Sequence, residues 1–310
     1  MKVAMLNEVI KHQHNSRAPS RVRAWVMAAR PKTLTAGVVP IIVATALVKS
    51  QGWPVMWWIS VCALLSSIFI QIGTNFVNDA IDFKKGADSE TRIGPQRVTQ
   101  SGLFTARQVL ILAGVCFVIA TAFGIPLVLQ GGWPILLIGL ASLALGYAYT
   151  GGPFPLAYLG LGDIFVILFF GVIAVTGTYY LHTSMVSWSA VVAGLQIGLL
   201  ATVLIAVNNL RDAPEDALVN KKTLVVRFGI NFARFEIIFL ICAAMVLGVY
   251  WWQTGHPRAA ILPLLTFPVA RRLVVGVVRE PPSPIYNRFL AMAALVHLIF
   301  GLALSFALAM

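Results

Sequence analysis

The sequence predicts an all-α, multi-span helical membrane protein of about nine transmembrane helices in one bundle. Three observations predict it. First, 59% of the 310 residues are hydrophobic and only 11% charged, against about 25% charged in soluble domains. Second, residues 108–162 and 164–210 contain no Asp, Glu, Lys or Arg. Each run is long enough for two crossings at about 20 residues per helix. Third, the basic residues fall almost entirely on one side of the alternating segments. So much apolar side chain excludes a disordered chain. The net charge of +12 is read as a topology signal, with no nucleic-acid partner.

Residues 1–32 read as a basic tail, within which Arg21–Arg30 has the pattern of an interfacial amphipathic helix. His12, His14 and the charges around them exclude a cleavable secretory leader there. Residues 33–310 read as a single transmembrane domain. Its apolar segments are 33–49, 56–78, 108–125, 132–150, 156–180, 187–208, 235–252, 259–277 and 288–309. The eighth is interrupted by Arg271 and Arg272. With the N-terminus inside, every Lys and Arg except Lys49 and Arg258 falls on the inner side. That is the orientation expected in a cell inner membrane, with the N-terminus and the loops 79–107 and 209–234 cytoplasmic. Cys62, Cys116 and Cys242 lie in apolar runs without CxxC spacing and read as buried packing residues. Tyr179-Tyr180 reads as an anchor at the outer interface.

Seven of the eleven acids lie in two clusters, one at the inner end of the second segment and one at that of the sixth. Asn75, Asp79 and Asp82 fall at i, i+4 and i+7. Asn209, Asp212 and Asp216 fall at i, i+3 and i+7. Each set makes one helix face. Asn78 and Asn208 stand beside them, and Pro214 is expected to bend the second helix. Carboxylates so spaced repel unless a cation lies between them, so two facing sets would form an oxygen-rich cage suited to Mg²⁺. Lys84, Lys85, Arg92, Arg97, Arg211, Lys221, Lys222 and Arg227 follow the acids closely. Carboxylates and cations together suit a metal-bridged diphosphate. Asp163, near the inner mouth of the fifth segment, is a functional candidate because acids at membrane depth are expensive. Tyr147 and Tyr149 sit at the same mouth. A secondary transporter would place its charges near the midplane, where this chain has almost none.

Asn78-Asp79-x-x-Asp82 and Asp212-x-x-x-Asp216 resemble the paired aspartate motifs of the UbiA superfamily of intramembrane prenyltransferases. Further stretches are similar to the branch acting on 1,4-dihydroxy-2-naphthoate. They include Ala29-Arg-Pro-Lys-Thr-Leu34, Arg92-Ile-Gly-Pro-Gln-Arg-Val98, Tyr149-Thr-Gly-Gly-Pro-Phe-Pro155, Gly160-Leu-Gly-Asp163 and Lys221-Lys-Thr-Leu224. Gly86 stands where many superfamily members carry another Asp, and Asp88 follows it. The Tyr-x-x-x-Lys of the hydroxybenzoate branch is missing after the fourth segment.

The resemblance implies transfer of a polyprenyl group from polyprenyl diphosphate to 1,4-dihydroxy-2-naphthoate, with loss of CO₂ and diphosphate. The product would be demethylmenaquinol. The alternatives are 4-hydroxybenzoate or homogentisate as acceptor. Asp79, Asp82, Asp212 and Asp216 would carry Mg²⁺. Asn75, Asn78, Lys84, Arg92, Arg97, Asn209, Arg211 and Lys221 would bind diphosphate.

Overall fold

The computed structural model describes residues 21–87, 93–94 and 97–310. Asp88, Glu90 and Arg92 lie outside the described residues. Within the described residues the main helices are α1 (Arg21–Ala29), α2 (Thr35–Ser50), α3 (Trp57–Lys84), α4 (Ala106–Ala148), α5 (Gly162–Thr183), α6 (Trp188–Leu218), α7 (Leu224–Phe228), α8 (Ile230–Gln253), α9 (Pro257–Arg279) and α10 (Tyr286–Ala309). Among the described residues there is no strand. Helices are required here because hydrocarbon offers no partner for backbone N–H and C=O groups.

Among the described residues, seven helices are long and apolar enough to cross a membrane. The pair Ala24–Thr33 and Thr35–Ser50, bent by 47°, makes up to eight. The expected nine is not reached by this count, because the third and fourth apolar segments lie in one 43-residue element, α4. A helix of that length would extend about 65 Å, twice the hydrocarbon thickness. Gly132 breaks it at φ 69°, ψ −155°, a region open essentially to glycine alone. The two halves lie side by side: Gly146 in the second packs against Phe117 in the first, and both meet α3 at Thr74 and Gly73.

α6 is the central helix, flanked by α2, α5, α8 and α10. In a bilayer, helix pairing depends on close packing rather than on escape from water. Gly171 of α5 lies against Gly194 and Gly198 of α6, so close that a Cβ on any of them would strike backbone. The facing turn of α5, Ile167–Ile173, is π-helical. The outer faces expose Phe235, Phe239, Leu264 and Leu265, as a lipid-facing surface should. The cysteines differ from expectation: Cys116 is buried, Cys62 half-buried and Cys242 exposed, since lipid is as apolar as a protein core. Tyr179 is likewise no interface anchor. It is buried, and its hydroxyl donates to Gln51 Oε1.

Within the basic N-terminal stretch, α1 docks on the bundle. Ala24 and Ala28 are buried. Trp25 stacks on Phe104 at 4.0 Å and meets Phe76 edge-on at 5.5 Å. Val22 and Val26 face outward. The chain then turns through Pro31–Thr33 into α2, which brings Arg30 and Lys32 to the end of the bundle that holds the acidic helix ends.

Candidate active site

The two acidic clusters meet in one cavity of about 350 Å³ at one end of the bundle. Helix geometry accounts for the first cluster. Asn75, Asp79 and Asp82 project from one face of the last turns of α3, and all three are buried. Asn75 Nδ2 donates to Ala29 O (2.9 Å), tying α3 to the α1–α2 turn. Asp79 is held by the following loop: Oδ2 accepts from Val98 N (3.3 Å), and Oδ1 accepts from Thr99 N (3.1 Å) and the Thr99 hydroxyl. Asp82 Oδ1 accepts from the Tyr158 hydroxyl (2.9 Å), and Arg97 Nη2 lies 3.6 Å from its Oδ2.

The second cluster comes from the end of α6. That helix runs unbroken through Pro214 to Leu218, so Asp212 and Asp216 line the same cavity. Arg211 grips Asp212 with Nε (2.6 Å) and Nη2 (2.8 Å). Its other donors reach Asn208 Oδ1 (2.9 Å) and Asn287 Oδ1 (2.8 Å) on α10. Lys221 Nζ donates to Asp216 Oδ1 (3.1 Å), while Asp216 Oδ2 is buried with no hydrogen-bond donor. Burial alone would lower the Lys221 pKa, but Asp216, Asp82 and Asp212 outweigh it and hold it above the ordinary lysine value. The loop after the first cluster also reaches the second, since Ile93 N donates to Glu215 Oε1 (2.6 Å).

Of the sequence candidates, Asp79, Asp82, Asp212, Asp216, Asn75, Asn78, Arg97, Asn209, Arg211 and Lys221 all line this cavity. Lys84 does not: it is exposed on the outer side of α3. Its neighbour Lys85 instead donates to Thr150 O (2.8 Å) and sits 4.1 Å over the Tyr158 ring. Arg92 lies outside the described residues. Tyr158 and Asn287 escaped the sequence reading, because nothing local marks them. Only the fold brings one to Asp82 and the other to Arg211.

Asp163 also lines the cavity. It is buried, and its Oδ1 has no hydrogen-bond partner. Beside it stands Tyr149, whose hydroxyl lies so close to Gly162 that a Cβ there would come within 3.0 Å. Burial first, then the negative charges of Asp163, Asp82 and Asp216, push the Tyr149 phenol well above its ordinary pKa. Tyr149 is therefore a neutral hydroxyl. Tyr147, by contrast, is exposed.

A second chamber of about 190 Å³ adjoins the first. Thr74, Tyr149, Val166 and Phe170 line both. Most of the rest of its wall is apolar, including Ile135, Ile138, Phe169, Ile173 and Leu181, with Ser66, Ser67, Ser142 and Thr178 as its polar members. A charged mouth thus leads into a greasy recess.

Among the described residues no three His, Cys, Asp or Glu side chains converge as a preformed metal cage. The sequence expectation of a cage needs that correction: Asp79, Asp82 and Asp212 are taken up by internal donors. The donor set still fits a hard divalent cation. It is all oxygen, four carboxylates share one cavity, and Asp216 Oδ2 lacks a donor. Mg²⁺ characteristically takes one or two carboxylates together with substrate phosphates rather than an all-protein cage.

Fold and site together define a multi-pass membrane protein with an acidic, cation-lined chamber opening into an apolar one. The model of the UbiA prenyltransferase family matches residues 37–295, and the chain belongs to that family. It is 32% identical over 298 residues to 1,4-dihydroxy-2-naphthoate octaprenyltransferase of Haemophilus influenzae, covering 92% of this chain and 96% of that one. It is 34% identical to the protein of the same name from Escherichia coli, at the same coverage. A UbiA homolog from Archaeoglobus fulgidus, solved with DMAPP and Mg²⁺, has the same fold. Its TM-score is 0.58 at 15% identity, covering 91% of this chain and 99% of that one.

Proposed function

We propose that this protein transfers a polyprenyl group from polyprenyl diphosphate to 1,4-dihydroxy-2-naphthoate. Diphosphate and CO₂ leave, and demethylmenaquinol forms at the cytoplasmic face of the inner membrane. The observation that carries this reading is the junction of the two chambers at Thr74, Tyr149, Val166 and Phe170. A prenyl diphosphate has the same two-part character, a polyanionic head and a long apolar tail. The relatives' names support the naphthoate acceptor.

Asp79, Asp82, Asp212 and Asp216 would hold Mg²⁺, which when bound supplies positive charge to the departing diphosphate. Lys221 and Arg97 add fixed cations on the same wall, and Asn75, Asn78 and Asn209 offer neutral amides. Arg211, clamped to Asn208, Asp212 and Asn287, orients the Asp212 carboxylate. The apolar chamber takes the chain and keeps water from the carbon that becomes cation-like. The electron-rich ring then attacks C1, and the attacked carbon sheds its carboxylate as CO₂.

The test is a product assay on protein in nanodiscs with 1,4-dihydroxy-2-naphthoate, a polyprenyl diphosphate and Mg²⁺, read by mass spectrometry. A prenylated, decarboxylated naphthoquinol, lost with EDTA and restored by Mg²⁺, is the expected result. Prenylated 4-hydroxybenzoate alone would move the acceptor. No product from either acceptor would overturn the reading.

A further inference from the structure

We infer that Asp163 is the proton carrier on the acceptor side of the cavity, taking the proton of the acceptor hydroxyl as the ring attacks. This rests on the prenyl-transfer reading above and adds to it a residue that the paired aspartate motifs do not include. Five acids line the cavity. Four of them are bonded to donors within the protein: Asp79 to the Val98–Thr99 backbone, Asp82 to Tyr158, Asp212 to Arg211, Asp216 to Lys221. Asp163 differs. It stands at the start of α5, is 5% exposed, and leaves Oδ1 without a hydrogen-bond partner. No Lys or Arg forms an ion pair with it among the described residues. Tyr149, which lines both chambers, stands against the neighbouring Gly162.

A buried carboxylate oxygen without a donor has given up its water hydrogen bonds with nothing in return. Such a group persists where a ligand supplies the missing hydrogen bond. The position indicates which ligand part does so. Val166 and Phe170, one and two turns further along α5, line both chambers. Asp163 therefore lies near the level where C1 passes from the polar mouth to the apolar recess. A hydroxyaromatic acceptor at that level has a hydroxyl to donate. Thr202 Oγ1 of α6, 3.4 Å from the Asp163 carbonyl, and Tyr149 against Gly162 hold the backbone there.

The step balances without any added reagent. The ring carbon bonds to C1, and the C1–O bond breaks with its electron pair leaving on diphosphate. The neighbouring hydroxyl becomes a carbonyl as its proton moves to Asp163 Oδ1. The resulting β-keto acid loses CO₂, leaving an enolate that takes the proton back from Asp163. Aspartate and the second hydroxyl end as they began.

The test uses Asp163→Asn and Asp163→Glu in nanodiscs, with steady-state kinetics on 1,4-dihydroxy-2-naphthoate and on a ring-fluorinated analogue whose hydroxyl is more acidic. Asp163→Asn is expected to lower kcat by roughly 10²–10⁴-fold, leave KM and directly measured Kd for the prenyl diphosphate unchanged, and lose less with the fluorinated acceptor. Asp163→Glu should recover part of the loss. The Kd measurement shows that the variant is folded. An unchanged kcat, a loss confined to prenyl diphosphate KM, or an equal loss with both acceptors would overturn the assignment. If the wild-type protein prenylates no hydroxyaromatic acid, the reaction itself is wrong and the assignment falls with it.

Discussion

Both oxygens of Asp79 are in use as acceptors, and that decides what a change there would do. Thr99 N and its hydroxyl donate to Oδ1, and Val98 N to Oδ2. In Asp79→Asn one of these donors would face an NH₂ group. The mismatch should cost about 1–3 kcal/mol of stability. The lost charge should lower kcat/KM by roughly 10²-fold or more. Thermal unfolding and kinetics on the same nanodisc sample check both parts, and full activity would remove Asp79 from the site. Lys221 makes a pH prediction. A lysine whose pKa is raised by folding contributes stability below its ordinary value of about 10.4, and loses it as the pH climbs further. Here Asp216, Asp82 and Asp212 do the raising against burial. The difference in Tm between wild type and Lys221→Met should therefore be constant from neutral to mildly alkaline pH and shrink above about pH 10. A difference that vanishes already near neutrality would contradict the charge pairing. At this scale much was legible in the sequence: Asn75, Asp79 and Asp82 share a face because 3.6 residues make a turn. Tyr158 and Asn287 were not, since each meets its partner across more than seventy residues.

Elements depend on local signals that can be tested one at a time. α4 turns at Gly132, where the backbone conformation excludes a Cβ. Gly132→Val should destabilise the protein by about 1–3 kcal/mol, measured by unfolding in detergent. A neutral effect would mean that the turn relaxes into a different path. The same glycine explains why counting helices differs from counting apolar segments: the break is one residue long and leaves no polar loop. Pro214 teaches the reverse. A proline in the sixth apolar segment's polar extension reads as a bend, yet α6 continues to Leu218. Tertiary contacts override the local preference, with Arg211 tied to α10 before the proline and Asp216 to Lys221 after it. The interfacial α1 was partly legible too. Its helical pattern was visible, but its docking through Trp25 on Phe76 and Phe104 was not.

For the whole molecule, the arrangement of chambers sets which chains are accepted. Gly139 and Gly177 both line the apolar recess; a Cβ at Gly139 would meet open space, and one at Gly177 only ordinary contact with Ile138 at 3.6 Å. Filling that space with Gly177→Phe should lower kcat/KM for long polyprenyl diphosphates far more than for short ones. A product-length series by mass spectrometry reads this directly. Equal loss at all lengths would place the chain elsewhere. Composition, the charge-free runs and the one-sided distribution of Lys and Arg by themselves determined a multi-span helical membrane protein and which ends of its segments carry the acids. They do so because the cost of charge in hydrocarbon is paid residue by residue, so it is written in order along the chain. The tertiary structure alone decided that the two acidic clusters share one cavity, that Lys84 turns away while Tyr158 turns in, and that Asp163 keeps a buried oxygen without a donor. Those facts depend on distances between segments far apart in sequence, and periodicity within a segment carries no information about them.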